Sequence, residues 1–159
     1  MEGAARTVLT QVRLARAMAV REGTHVALVF DTDAGGETTF RMHRDGNDNG
    51  VRRDEATAGI DRPLGPIVRL SDLFSGTGFR IPVALPPIED GPTLAAGGSG
   101  VRLSGTGTIL SCGPTGTATS GTLYVAGRRG DVYAVRLLGA TGRLRLFEYQ
   151  RASSVWVER

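Results

Sequence analysis

Residues 3–21 (GAARTVLTQVRLARAMAVR) limit the fold of this chain more than any other stretch. Ala4, Val8, Val12, Ala15 and Ala19 recur at three- and four-residue intervals, the spacing of one helical face, while Arg6, Thr10, Arg13 and Arg16 fall opposite. No proline interrupts the run, and Gly23 follows as a stop, because glycine accepts the left-handed conformation of a helix end. The spacing predicts a helix over residues 3–22, roughly 28 Å long for its core of residues 3–21. Ala and Val make the apolar stripe narrow, so a flat surface can approach the axis closely. Val8, Val12, Ala15 and Ala19 are the expected assembly residues of this helix.

Past residue 23 the chain changes character. Its 23 glycines are about twice the usual ~7% share, which favours short strands and tight turns. Residues 24–30 (THVALVF) read as a buried strand, 31–36 as a turn and 38–43 (TTFRMH) as the returning strand of a hairpin. Residues 56–92 form a Pro- and Gly-punctuated connector, in which Pro82, Pro86 and Pro87 reduce 79–85 to an edge strand at best. The cleanest β pattern is C-terminal: 107–111, 121–125, 131–138 and 141–148, with hairpin turns at 128–130 and 139–142. Trp156 is expected to pack the tail. The expected architecture is α+β, a single domain over 1–159, with one N-terminal helix on antiparallel sheet forming a small sandwich and a β-rich part over 24–150.

Two constellations raise the question of a ligand. Asp45, Asn47, Asn49 and Gly50 match the opening of a calcium-binding loop, but the twelfth position is Ala56 and Glu55 stands one place early. No helical pattern flanks the loop, so a solvated turn on Asn and Gly is expected, with Asp45, Asn47 and Asn49 as a weak metal site. In the last predicted strand Leu144 and Leu146 alternate with Arg143 and Arg145. If the leucines face the core, both arginines share the outer face, about 6.7 Å apart. That spacing suits successive phosphates, and Arg128, Arg129 and Arg136 lie on the same hairpins; the same alternation also describes the wet face of an edge strand.

Catalytic chemistry is missing from the pattern. His25 and His43 sit singly in strands, Cys112 has no neighbouring base, and no metal-protease, hydrolase-elbow or paired-cysteine motif occurs, so no enzymatic activity and no cofactor are expected. One cysteine forms no internal disulfide. No apolar run reaches the ~18 residues of a membrane span. All 19 basic residues are arginine and the net charge is only +3, which does not by itself demand a nucleic acid.

Four segments in order resemble the GspH/FimT family of minor pseudopilins and minor type IV pilins. These are Ala15-Arg16 to Glu22-Gly23 with the strand after it; Phe40-Arg-Met-His-Arg-Asp45-Gly-Asn47-Asp-Asn49-Gly50; Thr108-Ile109 through Gly113-Pro114-Thr-Gly116 to Gly121-Thr122-Leu123; and Gly142-Arg143-Leu144-Arg145. Ser111-Cys112 departs from it, standing where an aromatic is common in the family. The resemblance implies a structural subunit at or near the tip of a type IV pilus or type II secretion pseudopilus, partnered by other pilins. It also implies an inner-membrane anchor, N-terminal methylation in the native protein, a periplasmic domain, and exposure at the cell surface when in a pilus. The family's leader, early glutamate and long apolar helix do not occur in this sequence, so the chain is expected to be the soluble part, with Met1 to Gly3 as an engineered start. The family further implies an alternative, capture of double-stranded DNA in natural transformation through Arg143 and Arg145, with Arg128, Arg129 and Arg136 beside them.

Overall fold

The structure is a computed structural model and describes residues 1–105 and 107–159. Helix α1 (Glu2–Glu22) runs one residue beyond residues 3–21 at each end, and Gly23 at φ 66° closes it, donating its N–H to the Ala19 carbonyl. Ala4, Ala5, Val8, Leu9, Val12, Ala15 and Ala19 are its buried residues, so Ala5 and Leu9 widen the stripe read from spacing alone. After Gly23 the chain reverses into β1 (Val26–Thr32), which pairs antiparallel with β2 (Thr38–Arg44) in the expected hairpin.

The remaining strands build two antiparallel sheets. The smaller has the order β3 (Arg62–Pro63), β2, β1, β6 (Ile109–Cys112). The larger runs β10 (Val155–Glu158), β9 (Arg143–Gln150), β8 (Val132–Leu138), β7 (Gly121–Ala126), β4 (Gly78–Phe79), and β5 (Val101–Leu103) also pairs with β7. Strand alternation then sorts the side chains. Val26, Leu28, Phe30, Phe40 and Met42 from the first sheet, and Leu123, Val125, Val135, Leu137 and Leu146 from the second, share one core with the stripe of α1. Phe79 seals the junction, with its ring 5.5 Å from Phe30 and 6.0 Å from Phe40, both nearly edge-on. This is the α+β pilin-like arrangement, one helix laid across antiparallel sheets.

The larger sheet is covered on its other face as well. Ile81 and Leu85 from the Pro-rich connector bury Tyr124, Ala126, Val132, Ala134 and Phe147 in a second core. Trp156 joins it beside Tyr124 and Tyr149 and donates its indole N–H to the Pro86 carbonyl at 2.9 Å. The connector is thus a strap across the sheet. Its prolines suit that role, since a strap needs no ladder donors.

Short elements escape the sequence pattern. Helix α2 (Arg53–Ala58) follows the 45–50 loop, which corrects the expectation that no helix flanks it. Helix α3 (Leu70–Leu73), β5 and β10 are the others, and β10 carries the β-rich part past residue 150. Their four to six residues, or fewer, are too short to display a period.

Truncating Phe40, which is 1% exposed, is expected to cost about 3–5 kcal/mol, read as a lower urea midpoint at constant slope. Arg13→Ala on the outward side of α1 is expected to stay within about 0.5 kcal/mol. Equal losses at both positions would contradict the assignment of inner and outer sides.

Candidate functional site

Three places were singled out by sequence: the helix, the arginine strand and the 45–50 loop. On α1, Val8, Val12, Ala15 and Ala19 are fully buried against the chain's own sheets. They hold the domain together and leave nothing for a neighbour, which corrects their assignment as the surface of assembly. What α1 offers outward is the opposite stripe of Arg6, Thr10, Arg13, Leu14, Ala17, Val20 and Arg21. Leu14 at 46% and Val20 at 54% exposure are the large apolar side chains that α1 leaves open. Ala17 and Val20 line a shallow groove with Arg13, Arg16 and Arg21. Arg16 is turned inward: its Nη2 donates to the Gly116 carbonyl at 3.2 Å. A Cβ on Gly142, already at φ +66°, would stand 2.2 Å from that same nitrogen. Arg16 therefore ties the helix to both loops at its C-terminal end.

The arginine strand is rearranged relative to expectation. Leu144 and Leu146 do face the core, so Arg143 and Arg145 share the outer face of the larger sheet. Cross-strand register places Arg145 opposite Arg136, Arg136 opposite Thr122 and Thr122 opposite Arg102. Arg102, Arg136 and Arg145 thus stand in one row across four strands, with Arg143 one step along. Arg102 was missed because its three-residue strand sits between a glycine-rich loop and Ser104; the alternation Val101-Arg102-Leu103 was its only signal. Arg128 and Arg129 do not join the row. They occupy the β7–β8 turn, a strand length of about 20 Å from the β8–β9 turn that precedes Arg143, so the five arginines do not form one patch.

Carboxylates occupy much of this row. Arg136 pairs with both oxygens of Glu89 on the strap, at 3.1 and 2.7 Å, and bonds the Thr122 hydroxyl. Arg145 pairs with both oxygens of Glu158 on β10, at 3.0 and 2.7 Å, and lies 4.8 Å over the Phe147 ring. The Arg145 hydrogen bonds hold the Glu158 carboxyl below the usual carboxylate range. Arg143 and Arg102 are exposed, with no carboxylate in ion-pair range among the described residues.

The 45–50 loop is organised from within. Buried Asp45 accepts the Asn47 N–H at 3.1 Å and the Gly50 N–H at 2.7 Å. Asn47 and Asn49 both turn their amides to Glu55 Oε1, at 3.0 and 2.8 Å. Asp61, fully buried, accepts from the Gly46 and Arg52 backbone and pins the far side. The Asp45 carboxylate is thus committed to backbone donors, and Asn47 and Asn49 meet Glu55 through their amide nitrogens, which cannot ligate a cation. No group of three or more His, Cys, Asp or Glu residues is placed to hold an ion among the described residues.

Nucleophile chemistry fares no better. His43 Nδ1 is bonded to the Asp61 carbonyl at 2.8 Å, and His25 stands 4.0 Å from Asp45 on the surface. Burial pushes the Cys112 thiol up to about 12, with Arg16 only partly opposing it, so it is a thiol at neutral pH.

Among known proteins, the family model described as type II transport protein GspH matches residues 4–142, from the first turn of α1 to the β8–β9 turn. Arg143 and Arg145 lie just past the matched span. No curated protein and no solved structure matches the chain.

Burial alone would raise the Asp45 carboxyl, but the N–H groups of Asn47, Gly50 and Asn49 more than offset it, and its pKa lies below the usual Asp value. A depressed carboxylate stabilises the fold above its unfolded pKa, and that contribution is lost as pH falls through the folded value. Asp45→Asn is therefore expected to cost roughly 1–3 kcal/mol at about pH 7, and the gap to wild type should narrow below about pH 4. Urea unfolding of both chains across that range checks it; a gap independent of pH would contradict the charge.

Proposed function

The chain belongs to the GspH family of type II transport proteins, a family of structural pseudopilins, and on that premise we propose that it is built into a pseudopilus or pilus at or near the tip, where it helps prime assembly. The observation that carries this reading is the division of α1 into two sides. One side is consumed by the domain's own sheets, and the other presents Leu14, Ala17 and Val20 between Arg13 and Arg21, with no cover from the chain itself. A subunit of a helical fibre needs such a two-sided rod. The arginines make the outward stripe too charged for a dry helix core, so it suits a position at the fibre's periphery or against acidic neighbours. Family members are membrane-anchored and periplasmic. No helix among the described residues is long and apolar enough to cross a membrane. On the family's anchored pattern we place the start of α1 as the end of the domain nearest the membrane.

A second reading, capture of DNA without sequence preference, is supported by the row of Arg102, Arg136 and Arg145 with Arg143 beside it. Phosphates would have to compete with Glu89 and Glu158 for two of these four, so binding is expected to be weak and salt-sensitive. Gel retardation at low and moderate salt tests it. Arg143→Gln/Arg145→Gln should abolish retardation and Glu158→Gln should strengthen it; unchanged migration of wild type at low salt would refute this reading.

For the assembly role, Ala17→Glu and Val20→Glu are expected to leave stability within about 0.5 kcal/mol. Incorporation into filaments, read by co-purification with the partner pseudopilins, should fall by about tenfold or more. Wild-type incorporation of both variants would refute the outward stripe as the contact.

A further inference from the structure

We propose that the end of the domain at the start of α1 carries a membrane-facing surface that takes anionic phospholipid headgroups. Four arginines meet there, three from two turns and Arg80 from the end of β4. Arg128 and Arg129 lie in the β7–β8 turn, which packs against Met1: a Cβ on Gly127 would stand 2.4 Å from the Met1 sulfur. Arg151, in the β9–β10 turn, reaches across to Gly130, whose Cβ would stand 3.0 Å from its Nη2. Arg80 is anchored by carbonyls, its Nη2 donating to Gly76 at 2.8 Å and Gly127 at 3.0 Å. Arg128 donates to the Ser75 hydroxyl at 3.2 Å.

None of these four has a carboxylate within ion-pair distance among the described residues. Elsewhere several arginines are answered by acids, Arg6 by Glu2, Arg53 by Asp31, Arg69 by Glu37, Arg136 by Glu89, Arg145 by Glu158 and Arg159 by Glu148, and those unpaired among the described residues, such as Arg13, Arg52, Arg62, Arg102 and Arg143, are spread over other parts of the fold. Asp131 is the one acid in the same turn; Glu2 and Glu148, which stand near Tyr133 beside it, are answered by Arg6 and Arg159. Across the helix start, the β1–β2 turn holds Asp31, Asp33 and Glu37 against Arg53 and Arg69, so the charge at this end is lopsided, basic under the larger sheet.

This placement rests on the anchored reading above, in which the start of α1 is the end nearest the bilayer. A basic side chain near an anionic surface is worth about 1 kcal/mol, or roughly fivefold in partition. Three or four such groups are too few to hold an untethered protein firmly, and they suffice to lean an anchored domain on its larger sheet. The attraction decays within a Debye length of about 8–10 Å, so it acts only while the domain sits at the membrane and is released when the subunit is raised into a fibre.

Flotation of the full chain with vesicles tests this at low salt and high lipid. One set holds phosphatidylglycerol in phosphatidylcholine and the other phosphatidylcholine alone. Wild type should partition to the anionic set and be released by salt. Arg128→Gln/Arg129→Gln/Arg151→Gln, with Arg80 kept for its carbonyl bonds, should weaken that partition about a hundredfold at unchanged melting temperature. Arg13→Gln/Arg143→Gln at the opposite end should leave it unaltered. Equal partition to both vesicle sets, an unaffected triple variant, or equal loss in the far-end variant would each overturn the inference. So would a triple variant that loses DNA retardation and keeps vesicle binding. Filament incorporation is read separately: no vesicle binding with incorporation intact overturns this inference alone, and no incorporation with vesicle binding intact overturns the subunit reading alone.

Discussion

The fold depends on one contact, the close seat of α1 on two sheets at once. Six of the seven buried residues on that helix are alanine or valine, and Ala4, Ala5, Val8, Val12, Ala15 and Ala19 are completely shielded from water. Small side chains bring the helix axis near the pleated surface, where Leu28 and Met42 from one sheet and Val135 and Leu146 from the other reach it. Burial of that stripe forces the remaining residues of the helix outward, and the character of that outward stripe follows from what the inward one used up.

The helix, its glycine stop, the first hairpin and the C-terminal meander were legible because each is long enough to show its period. Residues 24–30 and 121–138 carry enough β-branched and aromatic side chains to read as strands without help. The sandwich was expected, but which strand joins which sheet was not legible, since pairing between distant strands is set by packing and nothing local tells β6 to join β1. The strap was half legible: its prolines ruled out a central strand, but its seat on Tyr124 and Trp156 is a long-range contact. In the 45–50 loop the composition suggested oxygen ligands, and the structure spends the Asp45 carboxylate on backbone N–H groups and turns the Asn47 and Asn49 nitrogens to Glu55. Sequence spacing cannot distinguish a carboxylate that binds an ion from one that caps a turn.

Arginine placement shows the same limit. Strand alternation correctly put Arg143 and Arg145 on one face, because that follows from the pleat alone. It did not separate Arg128 and Arg129 from them, since successive hairpin turns lie at opposite ends of a meander. Nor could it foresee Glu89 and Glu158, which arrive from 47 and 13 residues away to clasp Arg136 and Arg145. Of the four arginines on the broad face, Arg136 and Arg145 are answered by acids, and among the described residues none of the four gathered at one tip is.

The alanines of α1 have a consequence for the neighbour the molecule would meet. Ala15 and Ala19 are fully buried at the seam, so lengthening either by two or three carbons would lift the rod and turn Val20 and Arg13 relative to the β layers. In the proposed seat near a fibre's tip, that angle would set the direction in which the next molecule is received.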